Sequence, residues 1–140
     1  MRIEKHKEIL KEVDATIEEA LNDKNGILNH QRRIASMTSI GMQQLIEIYF
    51  HKLNIIKPGA QVKHEWFKME DKKLRLKLSA VLTTNFSQIP EIAEINAIAY
   101  KIETDRNDLI YGAPLKDGKK LREKIDDFLD LKNIIEMGGD

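Results

Sequence analysis

Between Arg2 and Asp23 the apolar residues Ile3, Leu10, Val13, Ile17 and Ala20 return at intervals of seven, three, four and three, with charges filling the positions between. That is the period of a helix with one oily stripe, and such a stripe is stable in water only against another. The same period returns along most of the chain. No convincing pair of partner strands appears, and an isolated strand is not stable. These features predict an all-α, antiparallel up-and-down bundle of four to five helices.

The first helix is expected to end at the run Asn-Asp-Lys-Asn-Gly, where Gly26 is free to take a positive φ. A second helix is expected from Ile27 to Leu53. Ile34, Met37, Ile40, Gly41, Leu45, Ile48 and Tyr49 make it apolar around most of its circumference, which marks a central or interfacial helix. Its small residues Ser36, Ser39 and Gly41 invite close approach by a neighbour. Pro58 and Gly59 interrupt the chain after it. From Gln61 to about Thr83, Leu74, Leu76 and Leu78 alternate as in a strand, while Val62, Trp66, Met69, Leu74, Leu78 and Val81 suit a helix; a helix is the expectation. Another is expected from Pro90, with Ser87 as its cap and Ile92, Ile95, Ala99, Ile102, Arg106 and Leu109 as its stripe. The last is expected from Gly118 to Met137, capped by Asp117, burying Leu121, Ile125, Phe128 and Ile135.

A chain of 140 residues, 41% hydrophobic and 33% charged, reads as a single domain spanning residues 1–140. The absence of cysteine excludes disulfides and thiolate zinc sites. No apolar run reaches the length of a membrane helix and no secretory core is evident, so a cytoplasmic protein without membrane contact is expected. Basic and acidic residues balance at 23 each, which argues against a surface that traps nucleic acid everywhere. The basic run Lys68, Lys72, Lys73, Arg75 and Lys77 reads as a solvated face. No cofactor loop, metal spacing or serine elbow is present, so neither a cofactor nor a metal is expected.

The stretch Asp105–Pro114, in one-letter code DRNDLIYGAP, sets a charge on the apolar seam at Arg106. An unpaired guanidinium buried there would be costly, so it must find an acid, reach solvent or line a cleft. Glu103, Asp105 and Asp108 are at hand as acids, and a plain dipole or salt-bridge role near a helix end is one reading. Asn107 and Tyr111, four residues apart, share a helix face.

The segment RNDLIYG, after a long helix and before a charged amphipathic one, resembles the signature of HEPN-superfamily domains, in which Arg, often Asn, and a His some residues later mark a small helical bundle. Arg106 and Asn107 match it, Leu109 and Ile110 match its apolar pair, and Tyr111 holds the histidine position. The resemblance implies a HEPN-like bundle, a homodimer with Arg106, Asn107 and Tyr111 near the subunit interface, and RNA or a nucleotide as ligand. It also implies metal-independent ribonuclease chemistry of toxin–antitoxin type and a nucleotidyltransferase (MNT) partner. Arginine would stabilise charge on the phosphate, and asparagine would orient the catalytic pair.

Tyrosine, with an ordinary pKa of about 10, is a poor substitute for histidine in moving protons at neutral pH. Three outcomes stay open: binding without cleavage, slow cleavage with another proton carrier, or a scaffold; binding without efficient cleavage is the expectation. The rival is a helical interaction module for a nucleotidyltransferase. Of the histidines, His6 is expected at an exposed helix start, His30 on the surface beside Arg32 and Arg33, His51 near a helix end, and His64 nearest a cleft. Trp66 and Phe67 are expected in the core.

Overall fold

A computed structural model describes residues 1–138. Its α-helices are α1 (Ile3–Leu21), α2 (Gln31–Lys52), α3 (Asp71–Val81), α4 (Ile92–Glu103), α5 (Arg106–Tyr111) and α6 (Lys119–Met137). Short 3-10 turns cover Ile27–His30, His64–Lys68 and Phe86–Gln88. The all-α bundle expected from the periodicity forms, and among the described residues the nearest approach to a sheet is a lone antiparallel bridge between Ile56 and Leu82.

α2 lies at the centre, in contact with α1, α4, α5 and α6. Its apolar circumference dictates this, since every face needs cover. At Gly41 the absent side chain lets three helices meet: a Cβ there would collide with the Phe128 ring of α6 and lie 2.9 Å from Val13 of α1. Val13, Ile34, Leu45, Ile95, Leu121 and Phe128 are sealed in one continuous core. Trp66 and Phe67 join it, as expected.

Two expected helices come out differently. Residues 61–83 do not form one helix: Trp66 and Phe67 are both buried in a 3-10 turn, and the extended backbone at Met69 and Glu70 separates that turn from α3 after it. Within α3, Leu74 and Leu78 point inward while Leu76 is 67% exposed, the helical solution to that leucine run.

The second correction lies between Pro90 and Leu109. Pro90 stays outside the helix, with its carbonyl accepting a 2.7 Å bond from the Tyr49 hydroxyl, and Ser87 lies in a 3-10 turn rather than at a cap. α4 stops at Glu103 and the chain turns at Asp105, whose φ is 66°. The terminator is Lys124 of α6, a buried lysine whose Nζ donates to the carbonyls of Lys101, Ile102 and Thr104. It satisfies carbonyls that a helix end leaves without partners. Thr104 adds a 2.6 Å bond from its hydroxyl to the Tyr100 carbonyl, and Asp105 is tied to Lys120 at 2.7 Å. α6 starts at Lys119 with Gly118 in the cap position; Asp117, expected as the cap, lies one residue earlier and accepts a 3.0 Å bond from the Lys119 amide.

Candidate functional site

Because the helix breaks at Thr104–Asp105, Arg106 does not extend the stripe of α4. It opens α5, a single short helix whose inward residue is Leu109. The clamp that holds α5 comes from the start of α2. Gln31 Nε2 donates to the Leu109 carbonyl at 3.0 Å, Gln31 Oε1 accepts from the Leu115 amide at 2.8 Å, and the Arg32 guanidinium donates to the carbonyls of Ile110 and Gly112. Neither residue was marked by the sequence beyond its place in a polar run; their partners lie some eighty positions away.

Arg106 is half-buried and forms no ion pair among the described residues. Its Nη1 donates to Asn107 Oδ1 at 3.1 Å, and its Nε is sealed from solvent with no acceptor. Arg106 Nε is thus a buried donor without an acceptor, a state that costs about 1–3 kcal/mol. The nearby acids do not supply one. Glu103, buried, accepts from the Ser39 hydroxyl at 2.7 Å and faces His64 Nδ1 at 2.6 Å. Asp105 is held by Lys120, and that bond keeps its carboxyl below the usual range against a smaller opposing effect of burial.

Arg106 and Asn107 line a cleft of about 240 Å³ with Lys68, Tyr100, Glu103 and Asp108. Lys68 projects from the 3-10 turn that α4 packs on and makes no ion pair among the described residues. The lining carries two cations in no ion pair among the described residues, Lys68 and Arg106, and three acids, of which Asp105 is paired with Lys120 and Glu103 is hydrogen-bonded to Ser39 and His64. Such a site can hold an anion through charge-assisted hydrogen bonds. Tyr111 is not part of it. The ring is 80% exposed and lies outside the residues that line the cleft. The structure therefore brings Arg106 and Asn107 together and leaves Tyr111 apart.

The histidines redistribute too. His64 is the one beside the cleft, joined to it through Glu103. His6, expected at an exposed start, is buried: its Nδ1 bonds Gln44 Oε1 at 2.6 Å and its Nε2 lies 2.9 Å from Glu47 Oε2. Glu47 in turn accepts from the Val62 amide at 2.5 Å, and burial raises its pKa above the ordinary carboxylate value. His30, expected on the surface, is buried against Asp23 at 2.7 Å. The expected basic face holds as solvated surface: Lys68, Lys72, Lys73, Arg75 and Lys77 are all exposed, and Arg75 is engaged with Asp71 and the Phe86 ring. Among the described residues no three His, Asp or Glu side chains gather as a metal site would require, and no helix is long and apolar enough to cross a membrane.

Set against family models, curated proteins and solved structures, the chain gives no significant match.

Proposed function

We propose that this bundle binds RNA or a nucleotide by taking a phosphate into the Arg106–Asn107 cleft, with cleavage at most weak. The observation that carries this reading is the Arg106 guanidinium: neither free in bulk solvent nor consumed by an acid, with its Nε buried and unpartnered. A phosphate oxygen is the acceptor that a guanidinium suits best, and Lys68 adds charge on the same cleft. Asn107, bonded to Arg106, steadies the guanidinium for the incoming anion.

With Tyr111 outside the cleft, the position that the HEPN resemblance assigns to a proton carrier supplies none to it. This supports binding over efficient cleavage. The homodimer, the toxin–antitoxin setting and the nucleotidyltransferase partner rest on the resemblance alone.

The test is fluorescence anisotropy with a short single-stranded RNA at low salt, comparing the parent with Arg106→Ala and Lys68→Ala. Loss of the arginine is expected to weaken binding roughly tenfold or more, in line with a charge-assisted bond, with stability changed by less than about 1 kcal/mol. Unchanged affinity together with a large fall in melting temperature would assign Arg106 a structural role. A stable complex with a protein partner and no RNA affinity would favour an interaction module.

A further inference from the structure

Among the described residues, two buried side-chain polar atoms lack a hydrogen-bond partner: Arg106 Nε and Asn96 Oδ1. One is a donor and the other an acceptor. They belong to neighbouring clefts, the phosphate-sized one described above and a larger, mainly apolar groove of about 430 Å³ floored by Phe67, Leu74, Phe86 and Ala97. The residue common to both clefts at their junction is Tyr100, whose ring is 51% exposed.

Asn96, Tyr100 and Glu103 follow one another along a single face of α4, at intervals of four and three. From the first to the last, the rise along the axis is about 10 Å. The face thus offers an acceptor in an apolar groove at one end, an exposed aromatic ring in the middle, and a guanidinium with Lys68 at the other end. Each element asks for a different part of one ligand. The unpartnered acceptor wants an N–H group, the ring wants a flat π-system, and the guanidinium wants an anion. A nucleotide carries these in that order, from base edge through base plane to phosphate.

We infer that the Asn96 groove is a base subsite for an adenine nucleotide whose phosphate lies in the Arg106 cleft. The base stacks on Tyr100, and the Asn96 amide pairs with its edge. Adenine is the purine that fits through its N6/N7 edge, because an asparagine amide sets an acceptor beside a donor and only adenine places its amino group next to the N7 acceptor there. Ala93 and Ala97, one turn apart on either side of Asn96, keep the groove open where larger side chains would close it. This inference rests on the phosphate reading for one end of the ligand, and on Asn96 and Tyr100 independently for the other.

The probes are adenosine monophosphate, inosine monophosphate and adenosine, titrated calorimetrically into the parent, Asn96→Leu and Arg106→Ala. Short oligoadenylate and oligoinosinate RNAs form a second arm. On the same edge inosine presents O6 and N7, two acceptors, so that its carbonyl would face Asn96 Oδ1 with no proton between them. Adenosine monophosphate is expected to bind about tenfold more tightly than inosine monophosphate, and Asn96→Leu is expected to erase that preference while the advantage of the phosphate over bare adenosine persists. If the preference for adenine shows only with the oligonucleotides, the source of the ligand is an RNA strand. Equal affinity for adenine and inosine ligands in both arms, a preference that survives Asn96→Leu, or no binding of any probe would overturn the base subsite. A phosphate advantage that survives Arg106→Ala, with the adenine preference intact, would instead sink the phosphate reading and leave the base subsite standing.

Discussion

His51 sits near the end of α2 with the ring of His6, from α1, at 5.4 Å. Burial first, then the positive neighbours His6 and the N-terminus, hold its pKa below the ordinary 6.5. The unfolded chain takes up a proton near 6.5 while the folded one resists it, so the stability linked to His51 is present above that pH and is lost as pH falls through the lower folded value. Glu47, next to His6, acts oppositely through its raised pKa, so the informative comparison is between variants. Melting temperature followed from pH 7.5 to 5 should fall less steeply for His51→Gln than for the parent; parallel profiles would contradict the assignment. His6 was expected to be exposed and is buried, although its place in the seven-residue gap between Ile3 and Leu10 was legible. Its partners Gln44 and Glu47 were not, since only the packing of α1 on α2 brings them to it.

Among the elements, the break between α4 and α5 decides what the cleft can be. Periodicity ran straight through residues 104 and 105, because Ile102, Arg106 and Leu109 keep helical intervals whether or not the backbone does. What stops the helix is Lys124, twenty residues on, a lysine on the buried side of α6 whose pKa is lowered by burial. Replacing it by methionine keeps the apolar stem but leaves the carbonyls of Lys101, Ile102 and Thr104 without their donor. Lys124→Met is expected to destabilise the fold by about 1–3 kcal/mol and to speed amide exchange across residues 104–109, read by hydrogen–deuterium exchange. Protection unchanged in that stretch would show that α5 is held by Gln31 and Arg32 alone. The segment 61–83 shows the same limit from the other side. Its helical half was readable from Leu74 and Leu78, but the adjacent burial of Trp66 and Phe67 depends on partners in the assembled bundle.

For the whole molecule, a formal charge of zero leaves recognition to local arrangement, and the arrangement is set by which acids are already engaged. Ser39 and His64 occupy Glu103, Lys120 occupies Asp105, and the guanidinium between them is left over. That remainder could not be read from the sequence, where three acids flank Arg106 and each was a candidate partner for it. The bundle and its central second helix could be read; the bond from Arg106 to Asn107 and the separation of Tyr111 from the cleft could not, because both follow from where α5 begins. The most direct measurement of the central claim is the arginine Nε–Hε resonance of Arg106, followed by nitrogen-edited NMR while a short RNA or adenosine monophosphate is added. The account predicts that this resonance shifts and that its proton exchanges more slowly as the phosphate bonds to the guanidinium. A resonance that stays in place while the ligand demonstrably binds elsewhere on the protein would contradict it.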